Sequence, residues 1–190
     1  MDNGLPIIIA VCGGVGLLVL IWVAAMYNSL VRRRNACDES WADVDTELKR
    51  RYDLIPNLVE TVKGYASHER ETLERVTAAR TAAVASTGSP ASQAKDENVL
   101  VGALRQLFAV VENYPNLKAN ENFLKLQAEL SNTEDRIQRA RRFYNANVRD
   151  LTNAIELFPS NVVAGIFKFR KREFFEIENV SQREAPDVRI

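Results

Sequence analysis

The chain has 190 residues, enough for one domain plus an anchor but short for two well-packed domains. Its 25 basic residues cancel its 25 acidic ones, so no net field draws it onto nucleic acid. Two cysteines and a single histidine exclude a disulfide framework and leave too few ligands for a zinc site.

The first element is Leu5 to Met26, 22 residues without a charged or amide side chain. At about 1.5 Å per residue it reaches about 33 Å, enough to cross the hydrocarbon core as a helix. The run exceeds the apolar stretch of a secretory signal, and no basic residue precedes it, so it reads as a retained anchor. Trp22 and Tyr27 stand near its end, where amphipathic rings suit the interface. Only Asp2 carries charge before the run, and Arg32, Arg33 and Arg34 follow it. The positive-inside rule puts the N-terminus outside and the remainder in the cytoplasm, as a single-pass protein of the cell membrane. Ala10 with Gly14, and Cys12 with Gly16, form small-xxx-small pairs that let anchor helices approach closely; small residues are also common in membrane helices in general.

Beyond the anchor, Trp41, Val44, Leu48, Ile55, Val59 and Val62 recur at helical steps. Pro56 falls within that stripe and removes the backbone bond to the Tyr52 carbonyl. Because the stripe keeps phase, a kinked continuous helix over residues 27–63 is predicted; a break at Asp53–Pro56 is the alternative. Gly64 is expected to supply a left-handed helix end and Ser67 to cap a second helix running to Ala85. The Ser86–Ser92 stretch reads as a loop. A third helix is expected over 96–112, stopped at Tyr114-Pro115. The fourth, over 120–157, carries Phe123, Leu126, Leu130, Ile137, Tyr144, Val148, Leu151 and Ile155 in a coiled-coil-like seam, ended by Pro159.

The predicted fold is therefore all-α: an N-terminal transmembrane helix, then an antiparallel up-down four-helix bundle with long first and fourth helices. The boundaries are a short tail at 1–4, the anchor at 5–26, the bundle at 27–157 and an apolar, basic C-terminal segment and tail at 158–190. In that last segment Phe158, Val162, Val163, Ile166, Phe167, Phe169, Phe174 and Phe175 surround Lys168, Arg170, Lys171 and Arg172. It serves either as a contact with an anionic membrane surface or as a strap over the bundle. Phe167, Phe169, Phe174 and Phe175 are the candidate interface or membrane contacts.

The residues resemble a known family at many points. Tyr27-Asn28-Ser29-Leu30-Val31 with Arg33 and Asn35, Trp41, and the block Lys49-Arg50-Arg51-Tyr52-Asp53-Leu54-Ile55-Pro56-Asn57-Leu58-Val59 are similar to the LemA family of bacterial membrane proteins. So are Gly64-Tyr65-Ala66 with His68-Glu69, Tyr114-Pro115 with Leu117-Lys118, and Asn122-Phe123 with Leu126-Gln127. Thr133-Glu134 with Ile137, Ala140-Arg141 with Tyr144-Asn145, and Phe158-Pro159 with Asn161-Val162-Val163-Ala164 continue the likeness. Lys168 departs from it, standing where the family is expected to carry glycine at a tight turn. The resemblance implies a membrane-anchored antiparallel helical bundle and supplies no reaction.

No constellation of catalytic, cofactor-binding or metal-binding residues is read from the chain, so it is not expected to be an enzyme. His68 and Glu69 are adjacent at a helix start and point apart, and Cys37 has no visible base. Arg51, Asp53 and Asn57 are the densest polar group near the stripe and are expected to meet Glu129 and Glu134 in a polar network within the bundle. The basic residues of 136–142 follow Glu129, Glu134 and Asp135 on one helix, a pattern of solvated faces and not of nucleic-acid binding. The expected function is a membrane-anchored scaffold or interaction protein, with the lipid bilayer, further copies of itself and other membrane proteins as partners. The alternative is a small-molecule or signal sensor, or an enzyme, using a cavity in the bundle. A packed core favours the first; a cavity of about 300 Å³ or more with two converging ionisable groups favours the second.

Overall fold

The structure, a computed structural model, describes the backbone of residues 4–176 and the side chains from residue 11 onward. Asp2 and the tail beyond Glu176 lie outside the described residues. Six helices are present among them and no strand: α1 (Gly4–Lys63), α2 (Arg70–Ala85), α3 (Pro90–Val111), α4 (Pro115–Lys118), α5 (Glu121–Glu156) and α6 (Ser160–Ile166). Two compact units are formed, one from residues 4–40 with 146–172 and the other from 41–145 with 173–176.

α1 is a single helix of 60 residues, and Pro56 lies inside it, so the alternative of a break does not occur. The carbonyl that Pro56 leaves without its helical donor belongs to Tyr52. Arg80 of α2 donates its Nε–H to that oxygen at 2.7 Å, which supplies the missing bond from outside the helix.

In the second unit, Ile55, Leu58 and Val62 of α1 share a core with Leu73, Val76 and Ala79 of α2, Leu100, Leu104 and Leu107 of α3, Leu117 of α4, and Phe123 and Leu130 of α5. The three-and-four spacing along each helix sets one face inward, and Phe108 meets Phe123 edge-on at 6.3 Å. In the first unit a smaller core joins Leu30 of α1 to Val163 and Ala164 of α6, flanked by Val23, Met26, Ala154, Ile155 and Phe169.

Several predicted boundaries move. Gly64 is not left-handed, since no described glycine has positive φ; the chain leaves α1 through bonds from Gly64 N–H to Glu60 O and from Ala66 N–H to Val62 O. Ser67 does not cap α2, whose N-cap is Glu69 without a side-chain bond. α3 starts at Pro90, well before the expected residue 96, because Ser89 is a side-chain N-cap accepting from Ser92 N–H and Pro90 occupies the first turn. The 86–92 stretch is thus a short loop followed by a helix start. α4 and α6 are additional to the four predicted helices.

At the end of α6, Lys168 has φ 56°, in the left-handed region. Phe169 N–H donates to Ala164 O at 2.9 Å and Lys168 N–H to Gly165 O at 3.2 Å. These are the two bonds of a Schellman termination, with Phe169 folded back onto the Val163–Ala164 core. The tight turn forms although lysine holds the position where glycine was expected.

Candidate functional site

The interior polar cluster is built on helix seams. In α1 the buried positions Val44, Leu48, Arg51, Ile55, Leu58 and Val62 follow one another at steps of three and four, so Arg51 occupies a seam position that its neighbours fill with apolar side chains. In α3, Glu97 does the same between Ala94 and Leu100. Arg51 and Glu97 are each 1% exposed. An Arg51 Nη2–H group donates to Glu97 Oε2, and the Tyr52 hydroxyl donates to Glu97 Oε1. Arg51 Nη1–H donates to Glu134 Oε2 of α5 at 2.8 Å. The third guanidinium nitrogen, Nε, has no hydrogen-bond partner for its N–H.

One guanidinium therefore bridges carboxylates from two other helices. Burial lowers the Arg51 pKa, opposed chiefly by the nearby charge of Glu134. Burial pushes the Tyr52 phenol up to about 12, against the pull of Arg51, so Tyr52 stays a proton donor to Glu97. Losing one member would strand a buried charge at about 3–5 kcal/mol, whereas replacing the whole cluster by apolar residues would cost far less. The cluster thus ties α1 to both α3 and α5 through one buried guanidinium.

Of the predicted network, Arg51 and Glu134 are brought together. Asp53, Asn57 and Glu129 are exposed and stand outside it, because they lie on the solvent faces of α1 and α5. Glu97 was missed. Its signal was its place on the stripe Ala94, Leu100, Leu104, Leu107, where a charged residue stands among apolar ones. Among the described residues no cluster of three His, Cys, Asp or Glu could hold a metal ion. His68 is exposed; Cys37 is buried, and burial raises its thiol pKa, leaving it protonated near neutrality.

Two open clefts flank the second unit's core. One, of about 410 Å³, runs between α3 and α5, lined by Leu104, Arg105, Phe108, Leu130 and Asp135, with Arg51 and Glu134 at its wall. The other, of about 660 Å³, lies between α1 and α2 and includes Val59, Lys63, Arg70 and Glu74. The α3–α5 cleft exceeds about 300 Å³, but it is an open surface cleft and not an enclosed cavity, and the Arg51 and Glu134 at its wall are bonded to each other.

The four terminal phenylalanines have separate environments. Phe167 is exposed, its ring 4.7 Å from that of Tyr27, and the half-buried Phe169 lies 5.8 Å from Tyr27 and beneath the Arg34 guanidinium. Phe174 is partly exposed, but Phe175 is fully buried, which corrects its assignment as an interface residue. Phe175 packs edge-on against Trp41 at 5.2 Å, and Trp41 in turn meets Tyr144 at 5.1 Å. Its N–H donates to Asn145 Oδ1 at 2.9 Å and its carbonyl accepts from Asn145 Nδ2 at 3.0 Å, while the Tyr144 hydroxyl donates to Glu173 O. Residues 173–176 thus lie as a strap on α5.

α1 is long and apolar enough to cross a membrane, and the other regular elements of the described chain are helices; together these fit a single-pass, all-α membrane protein. Residues 40–190 match the LemA family, and the chain belongs to that family. It is similar to the protein LemA of Metamycoplasma hominis, with 28% identity over 79% of this chain and 68% of the relative. It is also similar to the magnetosome protein MamQ 2 of Paramagnetospirillum magneticum, with 26% identity over 84% of this chain and 69% of the relative. The magnetosome protein MamQ of Magnetospirillum gryphiswaldense shares 25% identity over 78% of this chain and 64% of its own length.

Proposed function

We propose that this protein is a non-catalytic scaffold or interaction protein, held in the cell membrane by α1, which assembles with further copies and with other membrane proteins on the cytoplasmic side. The observation that carries this reading is how buried and exposed groups are divided. The interior ionisable groups are engaged with one another around Arg51, while the apolar side chains of α1 from Val11 to Ile21 are exposed. A Cβ added at Gly14 or Gly16 would meet nothing within 4 Å, so these small positions are open to a second helix. The common core of α1, α2, α3 and α5 supports the antiparallel bundle plan, with α4 and α6 as additions to it. The names of the relatives refer to a family or to the magnetosome, and none to a reaction. Mass photometry of the full chain in mild detergent tests assembly: particles of several copies are expected, and a strictly monomeric chain would overturn it.

The α3–α5 cleft favours a second reading, a sensor that binds a small polar molecule beside Arg51, Arg105 and Asp135. A compound that raises the Tm of the full chain, but not that of an Arg105→Ala variant, would establish it over the first.

A further inference from the structure

The first unit carries an apolar stripe that stays largely exposed among the described residues, with only Phe167 at its end touching the Tyr27 ring. Phe158, Val162 and Ile166 recur at four-residue steps and are 82%, 51% and 67% exposed. Leu157 and Phe167 extend the stripe at its two ends and are exposed as well. The opposite side of α6 is fully used: Val163 and Ala164 pack on Leu30, beside Val23 and Met26. α6 is therefore pinned by one face to α1 just where the apolar run ends, with its other apolar face free.

The charge around it is one-sided. Residues 4–40 and 146–172 carry eight basic and four acidic side chains, although the whole chain is neutral. Two of those bases are held by acids of the same unit, Lys171 by Glu156 and Arg172 by Asp38, and Arg33 lies 3.9 Å from Asp150. Arg32, Lys168 and Arg170 are exposed and have no ion pair among the described residues. Lys168 directly follows the exposed Phe167, and Arg170 follows the half-buried Phe169, so two bases stand beside the Phe167 ring that meets Tyr27 at the end of the apolar run.

We propose that α6 and its flanks are a second membrane contact: Phe158, Val162, Ile166 and Phe167 seat in the headgroup–acyl boundary of the leaflet that α1 enters, and Lys168 and Arg170 engage anionic phospholipid headgroups. An apolar face with a basic border is what an interfacial helix presents to an anionic leaflet. The Schellman turn at Lys168 gives the arrangement its geometry, turning the chain so that Phe169 returns to α1 while the Lys168 side chain stays exposed. Pinning by Val163 and Ala164 also makes the contact intramolecular with respect to the anchor. A stripe too small to hold a free protein on a membrane is then sufficient, because α1 keeps it at the surface. A second copy of the chain is the competing occupant of the stripe, and the basic border argues against it, since two such surfaces would repel.

This inference rests on α1 being a membrane anchor, so the test carries a probe for each. The full chain, with Cys12→Ala and Cys37→Ala, receives a single cysteine at Leu18, Val162 or Val99, each labelled with an environment-sensitive fluorophore. The variants are reconstituted in vesicles of phosphatidylcholine and phosphatidylglycerol containing shallow or deep brominated lipids. Quenching at Leu18 and Val162 but not at Val99, with the shallow quencher acting best at Val162, is the expected result. Quenching at Leu18 without quenching at Val162 overturns the inference and leaves the anchor in place, whereas no quenching at Leu18 overturns both. A blue-shifted but unquenched Val162 label shows the stripe covered by another copy and overturns the lipid assignment. Replacing Lys168 and Arg170 by Gln should lower the docked-to-undocked ratio about fivefold per charge in anionic vesicles. An unchanged ratio would overturn the headgroup role.

Discussion

At the scale of single residues, the most instructive pair is Pro56 and Arg80. Proline in a helix interior costs about 3 kcal/mol in an isolated helix. Part of that cost is the orphaned carbonyl, and here the Arg80 guanidinium occupies it. Arg80→Ala should therefore destabilise the protein by about 1.5–3 kcal/mol, the range for a hydrogen bond to a charged group. In a Pro56→Ala background the backbone N–H restored by that change satisfies the Tyr52 carbonyl, and the same change at Arg80 should cost little. Urea unfolding of the four variants in detergent, followed by helical circular dichroism, gives the coupling; additive effects would disprove the compensation. Tyr52 supplies a second test. Its pKa is raised from an ordinary 10.0 to about 12, so the folded state favours the neutral phenol. That contribution is complete below pH 10 and is lost as pH rises towards 12. Tyr52→Phe should flatten the alkaline fall in stability over that window, and an unchanged slope would mean that another group titrates there. The sequence showed the proline and the carbonyl it frees, but not the rescue, because Arg80 is 28 residues away and reads as an ordinary surface arginine.

At the scale of elements, long periodic helices were legible and short ones were not. α1 and α5 have stripes extended enough that period alone defines them, and their predicted ends fall within a few residues of the observed ones. α6, with seven residues, is too short for its period to emerge from an apolar segment, so its two faces could not be told apart beforehand. The strap over 173–176 was equally hidden. Two consecutive phenylalanines look alike in sequence, and only the Asn145 amide, bonding both backbone groups of Phe175, decides which one turns inward. Phe175→Ala should cost about 3–5 kcal/mol, as for a buried aromatic, whereas Phe174→Ser should stay within about 0.5 kcal/mol. Equal effects, read from unfolding midpoints, would contradict the strap. The end of α6 offers the opposite sign. Lys168 pays the left-handed penalty of a residue with a Cβ, so Lys168→Gly should stabilise the turn by about 1 kcal/mol, and Lys168→Ala should not. A glycine variant no more stable than the alanine one would show that the turn is not strained.

At the scale of the whole molecule, neutrality conceals an uneven distribution of charge. The residues grouped with the anchor are net basic, and the remainder of the chain balances them with acids. Whole-chain composition excluded a field over the molecule but could not show this division, because it follows from which distant segments fold together. The basic residues next to a membrane helix set its orientation, and Arg32, Arg33 and Arg34 lie within about ten residues of the end of the apolar run. We therefore expect the second unit to be in the cytoplasm. Thr87 is exposed in the loop between α2 and α3 and makes a suitable reporter. In a chain lacking Cys12 and Cys37, Thr87→Cys should resist a membrane-impermeant thiol reagent in intact cells and react fully after lysis. Replacing Arg32, Arg33 and Arg34 by Gln, with lysines added ahead of the apolar run, should expose the same cysteine without lysis. Labelling of the Thr87→Cys reporter in intact cells, with the three arginines in place, would reverse the orientation. It would also place Lys168 and Arg170 at the outer leaflet, so anionic lipid there would become the decisive variable for α6 docking.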